Sequence, residues 1–508
     1  MSRNKQLAIN MFYQVVGFII SMGITFVLTP FIIKSLGLEA YGFIGLSNNI
    51  IGYLQLATVA LNSMAGRFVT IAYHKGNIED ANRYFTSVFY SNCIFAFLIL
   101  LASAILFIYL EKFITIPSYL VLDVKVLFLL MTFNAAGTIV FNLYSISTFI
   151  KNRLDISNIR QFVSTLLNAI VLYISFAFFK SHLWYIGIAS LISFLYLTIV
   201  NICICKKLTP ELCVKGSFFD LSKIKELLSS GVWNLTSKLS DILQRGLDLL
   251  FANWWINASA MSVLSITTNV PFIILSFFSL LSSTFAPSMT ADFAKGDISS
   301  IKNDLSKSIR ILSVCMLLPL SILYVYGDVF YSLWVPSENS QLLQWLTISG
   351  TIALIFTSPL ECFWNVFTIT NKIKGSSIFM FINSLAVFFT VIFALQLSDN
   401  ITIKMFIIAS TRSIWGVLRG IIFLPIYSAY CLNMKWNAFY PLIIKPILGL
   451  FATLCLAFCF RIIYIPTSWI GFFVISVFVS LAALTIAFFV ILSKSDRVYL
   501  YAKVKEIL

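Results

Sequence analysis

The chain has 508 residues, of which 59% are hydrophobic and 11% are charged, and its mean hydropathy is +0.94. A soluble protein carries about 25% charged residues, so we predict an all-α integral membrane protein with many spans. The net charge of +15 does not require nucleic acid as a partner, because it is explained by the topology of the basic residues. Most of the nine cysteines lie in apolar runs and the two histidines lie far apart, so we expect no metal, no cofactor and no histidine-based catalysis.

Hydropathy predicts about 14 transmembrane helices, the first of which is too long to be a signal peptide. Short loops join several neighbours into antiparallel hairpins. The predicted spans are 8–33, 42–72, 84–110, 126–150, 161–179, 183–205, 229–256, 260–291, 311–333, 341–370, 375–397, 405–430, 438–460 and 467–493.

The basic residues are distributed unequally between the two sides of the membrane. If the N-terminus is cytoplasmic, twenty-three of the 35 Lys and Arg residues lie in inner segments and six, including Arg461, lie in outer loops. This bias predicts that both termini are cytoplasmic, and the inner charges also attract anionic lipid headgroups. The six basic residues that remain fall inside predicted spans: Arg67, Lys238, Arg245, Arg412, Arg419 and Lys445.

A short repeat indicates two halves. TIAYHKGNI at 70–78 and TADFAKGDI at 290–298 align without gaps after the second and the eighth spans. An even number of spans separates them, which predicts two parallel six-helix lobes related by an axis along the membrane normal. The alternative is that the shared KG(N/D)I is only a recurrent helix-breaking turn. The predicted division is an N-lobe at 1–205, a cytoplasmic linker with an amphipathic helix at 206–230, a C-lobe at 231–432, and two further spans with a tail at 433–508.

The seventh span, 231–255, is the most unusual segment because it carries Lys238, Asp241, Arg245 and Asp248. On a regular helix these spacings of three, four and three place all four charges within about 80° of arc. Ionised groups facing lipid are costly, so this face is predicted to meet protein or water. Two interpretations stay open: local pairs that neutralise each other, or a charged lining of a substrate cavity.

The twelfth span carries Arg412 and Arg419, seven residues apart and therefore on one helix face. No acidic residue accompanies them in that span, which favours binding of an anionic substrate. The alternative is pairing across helices with Asp241, Asp248 or Glu361. Glu361, which follows Pro359, and Asp248 are candidates for ion coupling. Arg67 and Lys445 lie near the inner boundary and are expected to snorkel.

The first hairpin carries a family resemblance. It begins NMFY at residue 10 and continues TPFIIKSLGLEAYG at 29–42, with an LG-x-E-x-YG turn between the first two spans. This segment resembles the polysaccharide flippases of the multidrug/oligosaccharidyl-lipid/polysaccharide exporter superfamily, hereafter the MOP superfamily. The two lobes, the extra C-terminal pair and the charged seventh span agree with that resemblance.

The resemblance implies a transporter and not an enzyme, in the bacterial inner membrane. Its substrate would be an undecaprenyl-diphosphate-linked oligosaccharide, flipped outward for the synthesis of O-antigen of lipopolysaccharide, capsule or exopolysaccharide. The cavity would come from spans one, two, seven and eight, and Asp248 stands where many relatives carry an acidic residue. Membrane lipids, a polysaccharide polymerase and a chain-length regulator are the implied partners.

Two other functions remain open. An ion-coupled multidrug exporter of the same superfamily would favour an acidic cavity, whereas the six intramembrane basic groups outnumber Asp241, Asp248 and Glu361. A membrane-embedded glycosyltransferase would need a large outer loop with carboxylates. The predicted outer loops are short, which makes this the weaker alternative.

Overall fold

The computed structural model describes residues 3–151, 153–294, 296–493 and residue 497. These residues form helices joined by short turns, with no strand among them, which confirms the predicted all-α membrane fold. The chain divides into two compact units, Met1–Ser265 with Ser377–Leu385, and Ile266–Ser376 with Ala386–Leu508. The lobe and linker boundaries proposed from the sequence stay predictions.

The first unit is built around α1 to α9 and the beginning of α10. Helices α2, α3 and α4 pack in succession, as do α6 and α7, whereas the contacts of α1 with α6 and of α4 with α7 join helices that are distant in sequence. These helices are α1 (Arg3–Leu36), α2 (Leu38–His74), α3 (Ile78–Phe113), α4 (Val121–Phe141), α5 (Ile146–Ile150), α6 (Leu154–Phe178), α7 (Tyr185–Leu208), α8 (Leu221–Asp241), α9 (Asp248–Trp255) and α10 (Ala258–Ser283).

The second unit contains most of α10, all of α11 to α14 and α16 to α19, and the two ends of α15. Its main packing partners are α13 with α16, and α12 with α13, α18 and α19. The helices are α11 (Ala286–Ala294), α12 (Ile298–Trp334), α13 (Ser340–Thr357), α14 (Phe363–Ile369), α15 (Ile373–Leu395), α16 (Ile401–Leu418), α17 (Leu424–Cys431), α18 (Tyr440–Ile463) and α19 (Trp469–Ile486).

Twelve helical segments among the described residues are long and apolar enough to cross a membrane. A thirteenth is α2, whose halves Leu38–Leu56 and Thr58–His74 are bent by 68°. The predicted count of 14 is therefore not confirmed. The predicted seventh span accounts for the difference, because α8 is amphipathic and α9, with 8 residues, is shorter than the roughly 20 residues that a bilayer requires.

The linker and the seventh span meet within one helix. Helix α8 runs from Leu221 to Asp241 without interruption, so the predicted amphipathic helix continues into the first half of the seventh span. Its N-cap is Asp220, which accepts hydrogen bonds from the Ser222 hydroxyl at 2.6 Å and backbone N–H at 2.8 Å. These bonds hold the pKa of the Asp220 carboxyl below its usual range. Leu227 is fully buried, which fixes α8 on α2 and α3.

The two copies of the sequence repeat adopt the same turn. Gly76 has φ of +76° and Gly296 has φ of +73°, a backbone region that glycine enters at little cost. The N–H of Asn77 and that of Asp297 each bond to the carbonyl five residues earlier, at 3.1 and 3.0 Å. Each of these side chains then caps the next helix by accepting from the N–H three residues later. The repeat therefore extends to backbone geometry and capping.

Candidate functional site

The predicted seventh span is formed by the second half of α8 and by α9, hereafter the seventh helix. This helix is interrupted where its charges are densest. A π-turn, Ile242–Gly246, separates α8 from α9. Within it the Gly246 carbonyl accepts a hydrogen bond from the Asn49 side chain at 3.0 Å and another from the Tyr53 hydroxyl. Both donors lie on α2. Helix α2 therefore supplies hydrogen bonds to a carbonyl at the point where the regular α-helical hydrogen bonding is interrupted. π-turns are frequent at functional sites.

The π-turn changes which charges share a face. One additional residue in a turn rotates everything after it by about 100° relative to a regular helix. Consistent with this rotation, Lys238 is exposed and Asp241 is half-buried, whereas Asp248 is only 6% exposed. The structure therefore does not keep Lys238 and Asp248 on one stripe, as the regular-helix spacing predicted. The side chain of Arg245, which belongs to the π-turn, lies outside the described part of the chain.

A neutral polar contact fixes another side of the same helix. The Gln244 side-chain amide donates to Asn383 Oδ1 at 3.0 Å, and both residues are buried. About two turns earlier on each helix, the hydroxyls of Ser237 and Ser377 are 3.0 Å apart. Both partners lie in the part of α15 that belongs to the first unit. The seventh helix is thus held by α2 and by α15 through uncharged groups.

The second unit holds the two predicted arginines of the twelfth span. Arg412 lies in α16, and Arg419 opens a second π-turn, Arg419–Phe423. The regular helix between them keeps the two residues within about 20° of arc. Both side chains are half-buried. A Cβ atom placed on Gly350 of α13 would be 3.8 Å from Arg412 Nη2 and 3.9 Å from Pro271 Cγ of α10, which locates this guanidinium beside α13 and α10.

Glycines allow α16 to approach α13 closely. A Cβ on Gly416 would lie 2.6 Å from Ala353 Cβ, and one on Gly420 would lie 2.9 Å from Phe356 Cβ. This spacing of four is the small-xxx-small pattern of membrane helix pairs. The π-turn of the seventh helix and the π-turn that follows α16 both contain the dipeptide Arg-Gly, at 245–246 and 419–420. Two of the predicted arginines are therefore positioned by irregular helix segments.

The predicted coupling residue Glu361 lies at a break between α13 and α14. It follows the 3-10 turn Ser358–Leu360 and accepts a hydrogen bond from the Ser279 hydroxyl of α10 at 2.7 Å. Next to it, the Asn365 amide donates to the Ser282 carbonyl at 3.0 Å. Glu361 is half-buried. Its position is consistent with a proton or cation site, and that role stays a prediction.

The charged pair between α18 and α12 was not predicted from the sequence. Arg461 lies in the last turn of α18 and not in an outer loop, and it binds both carboxylate oxygens of Asp328 in α12, at 2.7 and 2.6 Å. It also donates to the Val325 carbonyl. The acidic residue within the ninth predicted span was a signal that could have revealed this contact. This pair adds one basic and one acidic residue to the charged residues inside the membrane-spanning helices. The excess of basic over acidic residues there is therefore unchanged.

The described residues contain no group of three or more histidine, cysteine, aspartate or glutamate side chains that could hold a metal ion. The charged candidates are divided between the two units. Asp241 and Asp248 belong to the first unit with Lys238, and Glu361 belongs to the second with Arg412 and Arg419.

Three solved structures that share this fold are transporters. The lipid II flippase MurJ in an inward closed conformation has a TM-score of 0.65 and 14% identity, over 95% of this chain and 98% of that one. The MATE multidrug transporter DinF-BH gives 0.62 and 13%, over 86% and 97%. An inward-facing MATE transporter of the MOP superfamily gives 0.60 and 13%, over 82% and 96%. At these identities the likeness shows the fold alone: a multi-pass membrane protein with the fold of MOP-superfamily transporters.

The sequence comparisons define the family within that fold. Residues 36–333 match the profile of the family described as "Polysaccharide biosynthesis protein". The chain belongs to this family, which confirms the resemblance found in the first hairpin. Over 504 residues it is also 29% identical to the uncharacterized membrane protein EpsK of Bacillus subtilis (strain 168), with 97% of both chains covered.

Proposed function

We propose that this protein flips an undecaprenyl-diphosphate-linked oligosaccharide from the inner to the outer leaflet of the bacterial inner membrane. The product would serve the synthesis of O-antigen, capsule or exopolysaccharide. The observation that carries the proposal is that Arg412 of α16 and Arg419, which opens the π-turn after α16, share one face, in a chain of the polysaccharide biosynthesis family. The positive-inside bias supports cytoplasmic termini.

The chemistry of the carrier explains why arginines are needed. A diphosphate carries about two negative charges, and its transfer through hydrocarbon without counter-charges is opposed by desolvation. Arginine keeps its charge in a membrane protein and binds phosphate oxygens in a bidentate way. Half-buried guanidinium groups on Arg412 and Arg419 would replace the water around the diphosphate. The polyprenyl tail would remain in lipid, and the protein would form no covalent bond, so we infer a transporter and not an enzyme.

The two-lobe division at 205 and 231, with an extra pair from 433 onward, belongs to this proposal. Parallel repeats allow one lobe to move against the other in alternating access. A polysaccharide polymerase and a chain-length regulator would act on the flipped product. The shared turn geometry at Gly76 and Gly296 supports the two-fold organisation, although a recurrent turn alone would also produce it.

The second candidate is an ion-coupled multidrug exporter. It is supported by the fold that MATE transporters share with this chain and by Glu361, whose carboxylate lies beside Ser279 in the second unit. A cationic drug would be attracted by carboxylates and repelled by Arg412 and Arg419. The predominance of basic groups inside the predicted spans therefore favours the anionic lipid carrier.

A deletion strain separates the two functions. For a flippase, a carrier-linked oligosaccharide accumulates and surface polysaccharide disappears, and both changes are reversed by the wild-type chain. Arg412→Ala and Arg245→Ala should fail to restore the polysaccharide while remaining in the membrane. Lys445→Ala, at an exposed side chain of α18, is the matched control and should restore it. Normal polysaccharide together with drug hypersensitivity in the deletion strain would contradict the flippase and favour the exporter.

A further inference from the structure

A polar cavity lies among three helices of the first unit, and none of the charged candidate residues lines it. It has a volume of about 280 Å³ and is lined by α4 with the turn that follows it, by α6 and by α7. Eleven of its fourteen lining side chains are neutral and polar, and the other three are two phenylalanines and a leucine. No lining residue is ionisable. This composition is unusual inside helices that were predicted from their apolar character.

The cavity is encoded by polar stripes on two of its helices. Helix α6 presents positions 161, 164, 165 and 168, and α7 presents 190, 193, 194, 197, 198 and 201. Spacings of three and four residues place each set on one helix face. In membrane helices such groups commonly bond to each other across the interface. One such bond joins these two helices, from the Ser193 hydroxyl to the Ser164 carbonyl at 3.2 Å.

Asn201 is the residue that points to a ligand. It is only 6% exposed and lines the cavity, and its Oδ1 atom has no hydrogen-bond partner among the described residues. A buried amide oxygen without a donor is destabilising, and Asn201 is the lining residue that carries one, so rotation of this amide toward a donor bound in the cavity would relieve the cost. The adjacent aromatic groups are Phe141 and Phe194, whose ring centroids are 6.4 Å apart. The ring of Phe194 lies against Gly137, where any Cβ would overlap it.

We propose that this cavity binds a neutral sugar ring of the transported oligosaccharide, an inference that rests on the proposed function. Amide and hydroxyl side chains both donate and accept, which matches the hydroxyl and acetamido groups of a sugar. A phosphate or a cation would enter without any counter-charge from the lining, which desolvation opposes. Small-molecule sites usually span about 300–1,000 Å³, so this volume suits one ring and not an entire oligosaccharide.

Binding of uncharged sugars to the full-length protein in lipid nanodiscs tests the proposal. The probes are N-acetylglucosamine and methyl glucoside, and their binding is measured by saturation-transfer difference NMR. Asn201→Leu removes the unpaired oxygen, and Ser190→Leu fills part of the cavity. Each should weaken sugar binding about tenfold or more, which corresponds to one hydrogen bond. Since Asn201 Oδ1 has no partner to lose, its replacement should not lower the unfolding temperature.

Asn303→Leu, the same substitution at an exposed position of α12 outside the cavity, should leave sugar binding unchanged. Sugar binding that is absent in the wild type, or equal in all three variants, would overturn the proposal and leave a cavity filled by water. Inorganic diphosphate is the second probe. Its binding should survive Asn201→Leu and be weakened more than about tenfold in Arg412→Ala, so failure of the sugar site can be told apart from failure of the flippase proposal.

Discussion

Tyr53 donates its hydroxyl hydrogen bond to the carbonyl oxygen of Gly246, inside the π-turn of the seventh helix. Asn49, one turn earlier on α2, donates to the same oxygen. The bulge in the seventh helix and the polar face of α2 therefore stabilise each other. This relationship connects two segments that are 193 residues apart in sequence.

Removing the hydroxyl tests this relationship. Tyr53→Phe should lower the free energy of unfolding by about 1 kcal/mol, because one of two hydrogen bonds to the Gly246 carbonyl is lost. Adding Asn49→Leu should be more destabilising than the sum of the single changes, since the carbonyl then has no donor from α2. Denaturant unfolding in mixed micelles measures both effects. Tyr173→Phe, on an exposed ring of α6, is the control, and an equal loss there would contradict a specific role for Tyr53.

A second prediction concerns the contact of α8 with α2. A Cβ atom on Gly231 would overlap the backbone carbonyl of Ala60, and backbone cannot move aside as a side-chain end can. Gly231→Ala should therefore destabilise the protein by about 2–3 kcal/mol, as overpacked sites do. Gly66→Ala is the matched control, because nothing lies within 4 Å of its Cβ position in α2. It should be neutral or stabilising by up to about 1 kcal/mol through helix propensity. Equal melting temperatures for the two variants would contradict the close approach of α8 and α2.

Much of the fold could be predicted because it depends on local patterns. Long apolar runs predicted the helices, and the two copies of the KG(N/D)I repeat adopt the same turn, since a glycine with positive φ and a capping side chain act within a few residues. The π-turn at Ile242–Gly246 was not predictable in this way. The Gly246 carbonyl in this turn accepts hydrogen bonds from Tyr53 and Asn49. No pattern within the seventh span indicates contacts with residues so distant in sequence.

The candidate site was predicted less completely than the fold for the same reason. A regular 3.6-residue period placed Lys238 and Asp248 on one face, and a single additional residue in the turn separated them. Arg461 was assigned to a loop because its span was predicted to end one residue earlier, and its partner Asp328 is 133 residues away. The polar stripe on α6 at 161, 164, 165 and 168 was visible in the sequence, but only tertiary packing shows that it faces a cavity.

The Arg461–Asp328 pair gives a third prediction. Its two hydrogen bonds to one carboxylate connect α18 with α12. Asp328→Asn should lower the free energy of unfolding by about 2 kcal/mol, because charge-assisted hydrogen bonds are lost and a partly buried guanidinium remains. The double variant with Arg461→Gln should be less destabilised than the sum of the single variants. The double-mutant cycle is measured by unfolding, and strict additivity would show that the pair contributes no coupling energy.

The last prediction separates charge from geometry at the proposed diphosphate site. Arg412→Lys keeps the positive charge but loses the planar fork that binds two phosphate oxygens together. We expect inorganic diphosphate to bind this variant about tenfold more weakly than the wild type, and Arg412→Ala to bind it more weakly still. Raising the ionic strength should weaken binding to the wild type, and less so to Arg412→Ala, because one charge contact is already absent. Isothermal titration of the full-length protein in nanodiscs measures these affinities.

Lys445→Ala, which removes an exposed charge from α18, should bind like the wild type. If Lys445→Ala and Arg412→Ala weakened binding equally, the attraction would come from overall charge and not from a site at Arg412.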